Sequence, residues 1–254
     1  MAYSVVIDAG HGGNDNGASY QGRNEKDDNL NLALAVGNIL EQNGVNVYYT
    51  RTTDVYDTPF EKAVMGNNSG ADFFVSLHRN SVPEDNTSSG VETLVFDDSG
   101  VKAEMARNIN ANLQALGFGN RGVIERPNLV VLRRTRIPSL LVETGFINND
   151  SDNALFDEKF DEIANAIADG ILETLNQNQE NDSKLYRVQV GAYFNRNYAN
   201  QLLSRLQSEG FPAFLTLEDG MYKVQVGTYE DIDNAVKMES RLRGEGYNTF
   251  ITSR

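Results

Sequence analysis

Tyr186-Arg187-Val188-Gln189-Val190-Gly191-Ala192-Tyr193 returns 36 residues later as Tyr222-Lys223-Val224-Gln225-Val226-Gly227-Thr228-Tyr229. The same offset relates Ala199 to Ala235, Leu206 to Leu242, Glu209-Gly210-Phe211 to Glu245-Gly246-Tyr247, and Phe214 to Phe250. Coincidence in register over so many positions marks a duplicated unit. Each copy reads strand, helix, strand, with Gly210 and Gly246 as helix stops. Two copies in tandem restrict residues 185–254 to a small α+β domain of β-α-β-β-α-β, ferredoxin-like order, with both helices on one face of a four-stranded sheet. Gln189 and Gln225 alternate with valines, so they point away from the helix-covered core. The helix-free face is the natural binding surface. Gln189, Tyr193, Gln225 and Tyr229 are its candidate contacts, although the tyrosines equally suit a role in the small core.

Ahead of the repeat, residues 176–184 hold no apolar side chain and read as a solvated linker. The chain therefore divides into a domain over 1–176, a linker over 177–184 and the repeat domain over 185–254. The first domain alternates strand-like segments (3–8, 45–50, 73–78, 91–96, 129–132, 139–143) with helical patterning (27–42, 60–69, 101–116, 155–175). Such alternation implies an α/β fold, a mostly parallel sheet with helices on both faces.

The net charge of −14 is concentrated in residues 1–175, which carry 26 acidic against 13 basic side chains. That acidity argues against nucleic acid as a partner, because phosphates require a basic face. No apolar run approaches the ~20 residues that span a bilayer. Met1-Ala2 leads straight into the first strand, so no signal peptide is expected. Cysteine is absent, and any metal must be held by histidine and carboxylate.

Only two histidines occur, and both end apolar strand-like runs. His11 lies in Asp8-Ala9-Gly10-His11-Gly12-Gly13, and His78 follows Phe73-Phe74-Val75-Ser76-Leu77. The carboxyl edge of an open α/β sheet is where such folds build their sites. Glu25 sits between a Gly- and Asn-rich loop and the first helix, close to His11. Glu143 ends the apolar run Leu140-Leu141-Val142, with Thr144-Gly145 expected to form a tight turn. An ionisable group at the end of a buried strand is costly unless it faces a site or a partner. His11, Glu25 and His78 thus make a three-ligand set for one zinc ion with a fourth position open. Glu143 is the candidate general base for hydroxide attack on an amide, and afterwards the acid that protonates the leaving amine. Asn80 and Arg133 are weaker candidates for substrate contact.

These blocks, together with Glu25-Lys26-Asp27, Ser76-Leu77-His78-Arg79-Asn80, Leu132-Arg133, Ile137-Pro138-Ser139 and Val142-Glu143-Thr144-Gly145-Phe146, resemble the signatures of zinc-dependent N-acetylmuramoyl-L-alanine amidases. They run in order across residues 3–175. The repeat resembles the SPOR domain, whose family binds peptidoglycan glycan strands stripped of peptide. The order of the two is similar to that in spore-former autolysins and phage endolysins. The resemblance implies zinc on His11, Glu25 and His78 and catalysis by Glu143. It also implies hydrolysis of the amide joining the lactyl group of N-acetylmuramic acid to L-alanine of the stem peptide. Ala9 stands where the family often has proline. Arg79, where a small residue is common, is expected to place a charge at the cleft rim. Only Ser81 to Ser89 separate Asn80 from Gly90, too few for an inhibitory helix, so no protein activator is expected. Action at the wall without a signal peptide implies release by lysis, by a holin or by a non-classical route. The rival readings are a non-catalytic glycan-binding protein and a zinc hydrolase of another amide or ester.

Overall fold

The computed structural model describes residues 3–183 and 185–253, which divide into two compact units at Leu175/Asn176. The first unit begins with β1 (Ser4–Ala9), a short hairpin β2 (Ser19–Tyr20) and β3 (Arg23–Asn24), then α1 (Glu25–Gln42) and β4 (Asn46–Tyr49). It continues through α2 (Pro59–Ser69), β5 (Phe73–Asn80), β6 (Val91–Val95), α3 (Gly100–Ala115) and β7 (Asn120–Glu125). The elements α4 (Val130–Arg134), β8 (Ser139–Phe146) and α5 (Asp150–Glu158) follow, and α6 (Phe160–Ser183) begins in this unit and continues past the division.

The sheet order is β4-β1-β5-β8-β6-β7. The first four strands are parallel, whereas β6 runs antiparallel to β8 and parallel to β7. Alternation along the strands sorts side chains between two cores. Val5, Ile7, Val75, Leu77, Leu140 and Val142 meet the apolar faces of α1, α3 and α6. Val6, Phe74, Leu94 and Leu141 meet Val131 and Leu132 of α4 on the other side. His78 and Glu143 share the parity of Phe74 and Leu141, so both emerge on the α4 side at the carboxyl ends of β5 and β8.

Four local expectations are corrected. Residues 129–132 form the start of a short helix rather than a strand, because Val131 and Leu132 one after the other fill the smaller core. Periodicity alone does not separate a four-residue apolar run in a strand from one in a helix. Edge strand β7 was not anticipated, its polar sequence giving no apolar run. Thr144-Gly145 is no turn, since β8 continues to Phe146. His78 pairs with Glu143 but Asn80 with Phe146, and Gly145 absorbs the extra residue at φ +74°. Finally, α6 runs on to Ser183, so the polar stretch 176–183 is helical; Lys184 lies outside the described residues. Polar side chains such as Asn and Gln lower helix propensity only slightly, and no Gly or Pro interrupts the run.

The second unit comprises β9 (Tyr186–Tyr193), α7 (Arg196–Ser208), β10 (Ala213–Glu218), β11 (Met221–Tyr229), α8 (Ile232–Gly244) and β12 (Phe250–Ser253). Its antiparallel sheet has the order β10-β11-β9-β12. The duplication is visible in detail. Asn195 and Asp231 cap equivalent helices, Ala199/Ala235 and Leu206/Leu242 are buried pairs, and Phe211 meets Tyr247 edge to face at 6.4 Å.

Candidate metal centre and active site

The turn after β1 carries His11 in the left-handed region at φ 59°, a conformation that a non-glycine residue adopts only when its surroundings hold it there. Those surroundings are unusually firm. Arg51 donates to the carbonyls of Ala9 and Gly10, Lys62 to those of Ala9 and His11, and Asn29 to that of Gly10. Glu25, at the start of α1, presents Oε1 to both rings: His78 Nδ1 is 2.8 Å away and His11 Nε2 3.2 Å. One ligand atom from each of the three residues lies within 4.8 Å of the others. Close approach demands small residues beside them. A Cβ on Gly10 would fall on the His78 ring, and one on Gly17 would lie 2.6 Å from Glu25 Oε2.

Outer partners orient the set. Asp15 Oδ2 accepts from His11 Nδ1 at 2.8 Å. A carboxylate only accepts, so Nδ1 carries a proton and Asp15 fixes the orientation of the ring. Glu25 Oε2 accepts from Ala18 N, and Oε1 from Asn29 Nδ2 and Arg79 N. Burial opposes a charge on His11, yet Glu25 and Asp15 lift its pKa to about 9. Burial would likewise raise Glu25, but hydrogen bonds and charge from the two histidines carry it well below the usual carboxylate range. An anionic Glu25 between two imidazoles that compete for its lone pairs is a donor set suited to one divalent cation.

Beneath the centre, Asp8 is buried and accepts from Thr50 Oγ1 and Ser76 Oγ, each at 2.6 Å, and from Lys62 Nζ at 2.9 Å. Against the effect of burial, Lys62 and the two hydroxyls hold its carboxyl below the ordinary value. Asp8 and Lys62 line a cavity of about 280 Å³ with His11, His78, Pro59, Leu129 and Leu141.

Glu143 pairs with His78 across β5 and β8, and with Glu92 across β8 and β6. Its Oε2 is buried without a hydrogen-bond partner. Burial pushes its carboxyl up to about 7, with Glu25 and Glu92 adding to the shift and the histidines opposing it. Glu92 was missed by motif reading. It is held by Asn80 Nδ2 at 3.0 Å and Arg121 Nε at 3.1 Å.

Residues 5–173 match the family described as N-acetylmuramoyl-L-alanine amidase, about two thirds of the chain. The chain belongs to the N-acetylmuramoyl-L-alanine amidase family. Residues 182–253 match the SPOR domain. The amidase is 36% identical over 221 residues to the sporulation-specific N-acetylmuramoyl-L-alanine amidase of Bacillus subtilis (strain 168), covering 85% of each chain. It is 35% identical to the endolysin of Bacillus phage SPP1, covering 69% of this chain and 67% of that protein. Among solved structures, the N-acetylmuramoyl-L-alanine amidase of Clostridium difficile 630 superimposes with a TM-score of 0.65 at 37% identity, covering 69% of this chain and 97% of that one. The activity of this amidase is peptidoglycan hydrolysis, and its SPOR domain is a peptidoglycan-binding module.

Other expected site residues of the amidase fall elsewhere. Arg79 is not at the rim. Strand alternation turns it to the face opposite His78, where it is fully buried. There it pairs with Asp28 at 2.7 Å, donates to Asn153 and stacks 4.1 Å from the Phe156 ring centroid. Burial lowers its pKa to about 10, with Asp28 opposing. Arg133 lines a separate cavity of about 430 Å³ between the start of α3 and Pro138. Asn80 is committed to Glu92 and to Ser81 N.

In the SPOR domain, Phe214, Gln225, Gln189 and Phe250 form one row across the four strands. Gln189 and Gln225 occupy the helix-free side but are buried between the phenylalanines. Tyr193 and Tyr229 pack against the helix-side core, each folded over the glycine two residues before it.

Proposed function

We propose that His11, Glu25 and His78 hold one zinc ion and that Glu143 acts as base and then acid in hydrolysis of the muramoyl–L-alanine amide. The observation that carries this reading is the convergence of three ligand atoms beside a buried carboxylate oxygen that has no other partner. Nitrogen and carboxylate donors without thiolate suit a catalytic zinc site, and the glycines at 10 and 17 leave the room it needs. Zinc bound there supplies Lewis-acid polarisation of the scissile carbonyl and a water of lowered pKa.

The chain's own groups do the rest. Glu143 takes a proton from the attacking water as its oxygen bonds to the carbonyl carbon. The resulting carboxylic acid, favoured by burial, then delivers that proton to the L-alanine nitrogen as the C–N bond breaks. Asp15 keeps the His11 ring in one tautomer, and Arg51 and Lys62 keep its turn in place.

Residues 1–176 are the catalytic part of this reading and 185–254 the wall-targeting part, with the helix-free sheet face that carries the Phe214, Gln225, Gln189, Phe250 row as its glycan-contact surface. The enzyme works without a protein activator. The loop from Ser81 to Gly90 is short and tied down by Asn86, which bonds Asn148 and Asp150. Among the described residues no helix is long and apolar enough to cross a membrane.

Mass spectrometry of digested peptidoglycan tests the chemistry. Stem peptides with a free L-alanine amine and intact glycan should appear, with zinc near one equivalent per chain and no product from Glu143→Gln. New reducing ends on the glycan, or turnover that persists after exhaustive chelation, would overturn it.

A further inference from the structure

Apolar side chains left in solvent on a rigid backbone mark binding surfaces more often than scattered single exposures do. In the first unit, six of the seven large exposed hydrophobics among the described residues fall between 48 and 65: Tyr48, Val55, Tyr56, Phe60, Val64 and Met65. Three of them, Tyr48, Tyr56 and Phe60, are aromatic, and Tyr56 and Phe60 alternate in sequence with residues of the cleft wall. Asp57 and Pro59 line the same cavity as His11 and His78, while Tyr56 is 50% and Phe60 55% exposed.

This segment is anchored. A Cβ on Gly13, two residues past His11, would stand 2.9 Å from Tyr56 N, and one on Gly12 would strike the Val55 carbonyl. Asp54 accepts from Gly13 N at 2.7 Å and Lys26 Nζ at 2.8 Å, and Thr58 with Glu61 forms a capping box at the start of α2. The backbone that carries the two rings is therefore held beside residues that line the metal cleft.

Chemistry narrows what lies on them. Asp57 and Pro59 of this segment line the cavity that also holds His11 and His78, so a strand whose reacting residue occupies that cavity continues past the two rings. N-acetylated sugars are neutral and offer flat C–H faces to an aromatic ring. We propose that Tyr56 and Phe60 form a stacking platform for the sugars that flank the reacting muramoyl residue on the glycan strand. The platform rests on the amidase reading above and extends it along the polymer.

The test compares full-length wild type, Tyr56→Ala, Phe60→Ala, the double variant and Phe60→Tyr. Substrates are peptide-bearing strands of four or more disaccharides and a single disaccharide-peptide. On strands, KM should rise about fivefold for each ring removed, as expected of one aromatic contact, with kcat unchanged. Phe60→Tyr should behave as wild type, and the single disaccharide should show no change in kcat/KM. Unchanged KM on strands, a loss of kcat, or equal losses on both substrates would overturn the platform. So would a wild-type dimer that the double variant abolishes in sedimentation, since the strip would then be a self-association face. Wild type inert on both substrates would overturn the amidase reading itself, whereas active wild type with indifferent variants overturns only the platform.

Discussion

Substituting glutamine for Glu143 should raise the stability of the metal-free protein while abolishing its activity, and both effects follow from the surroundings of one carboxyl. Burial carries that group from 4.5 to about 7. A displacement of this size corresponds to roughly 3 kcal/mol against the charged form. Part of the residue reaches solvent, which screens the realised penalty to about 1–3 kcal/mol. Below about 4.5 the carboxyl is neutral in folded and unfolded chains and costs nothing; above about 7 it is charged in both and the whole penalty is felt. Urea melts in chelator should therefore show Glu143→Gln matching wild type near pH 4.5 and exceeding it by about 1–3 kcal/mol at pH 8. Reloading zinc should narrow the gap, because a dication beside the site favours the carboxylate. Turnover should fall by about 10²–10⁴, the usual contribution of a general acid–base group. A variant that melts below wild type at pH 8, or keeps more than about a tenth of the activity, would refute the reasoning.

Three further outcomes are expected. Asp15→Asn should weaken zinc binding about 10–100-fold by calorimetry through loss of the partner that orients His11, and unchanged affinity would contradict that role. Gly10→Ala should displace the His78 ring and abolish stoichiometric zinc while leaving the circular dichroism of the folded chain intact; retained zinc would show that the ring has room to move. Arg79→Met should lower unfolding free energy by about 2–4 kcal/mol in urea, since Asp28 would keep only Arg23 as a cation. A neutral effect there would mean the buried pair is worth no more than its apolar replacement.

The cluster of His11, His78 and Glu143 was legible as a place in the fold because it is built from strand ends and short turns. An apolar run that stops at a histidine or glutamate, and a glycine cluster around the first histidine, locate His11, His78 and Glu143 from local pattern alone. The duplication was legible for the same reason, each half being a local strand-helix-strand unit whose partner repeats its spacing. Glu92, Asp15, Arg51 and Lys62 left no such trace. They come from separate elements and matter only through contacts made after the sheet is assembled.

Local sequence thus settles where the long apolar strands β1, β5 and β8 run and that two similar halves build the second domain, because these depend on the alternation of side chains and on backbone turns. Packing settles the remainder. It coils 130–134 into a helix to fill the smaller core, stretches β8 past Gly145 to match its neighbour, sends Arg79 beneath α1 rather than into the cleft, and buries Gln189 and Gln225 between two phenylalanines. In each case the deciding energy belongs to a neighbour distant in the chain, and a residue's own flanks carry no record of it.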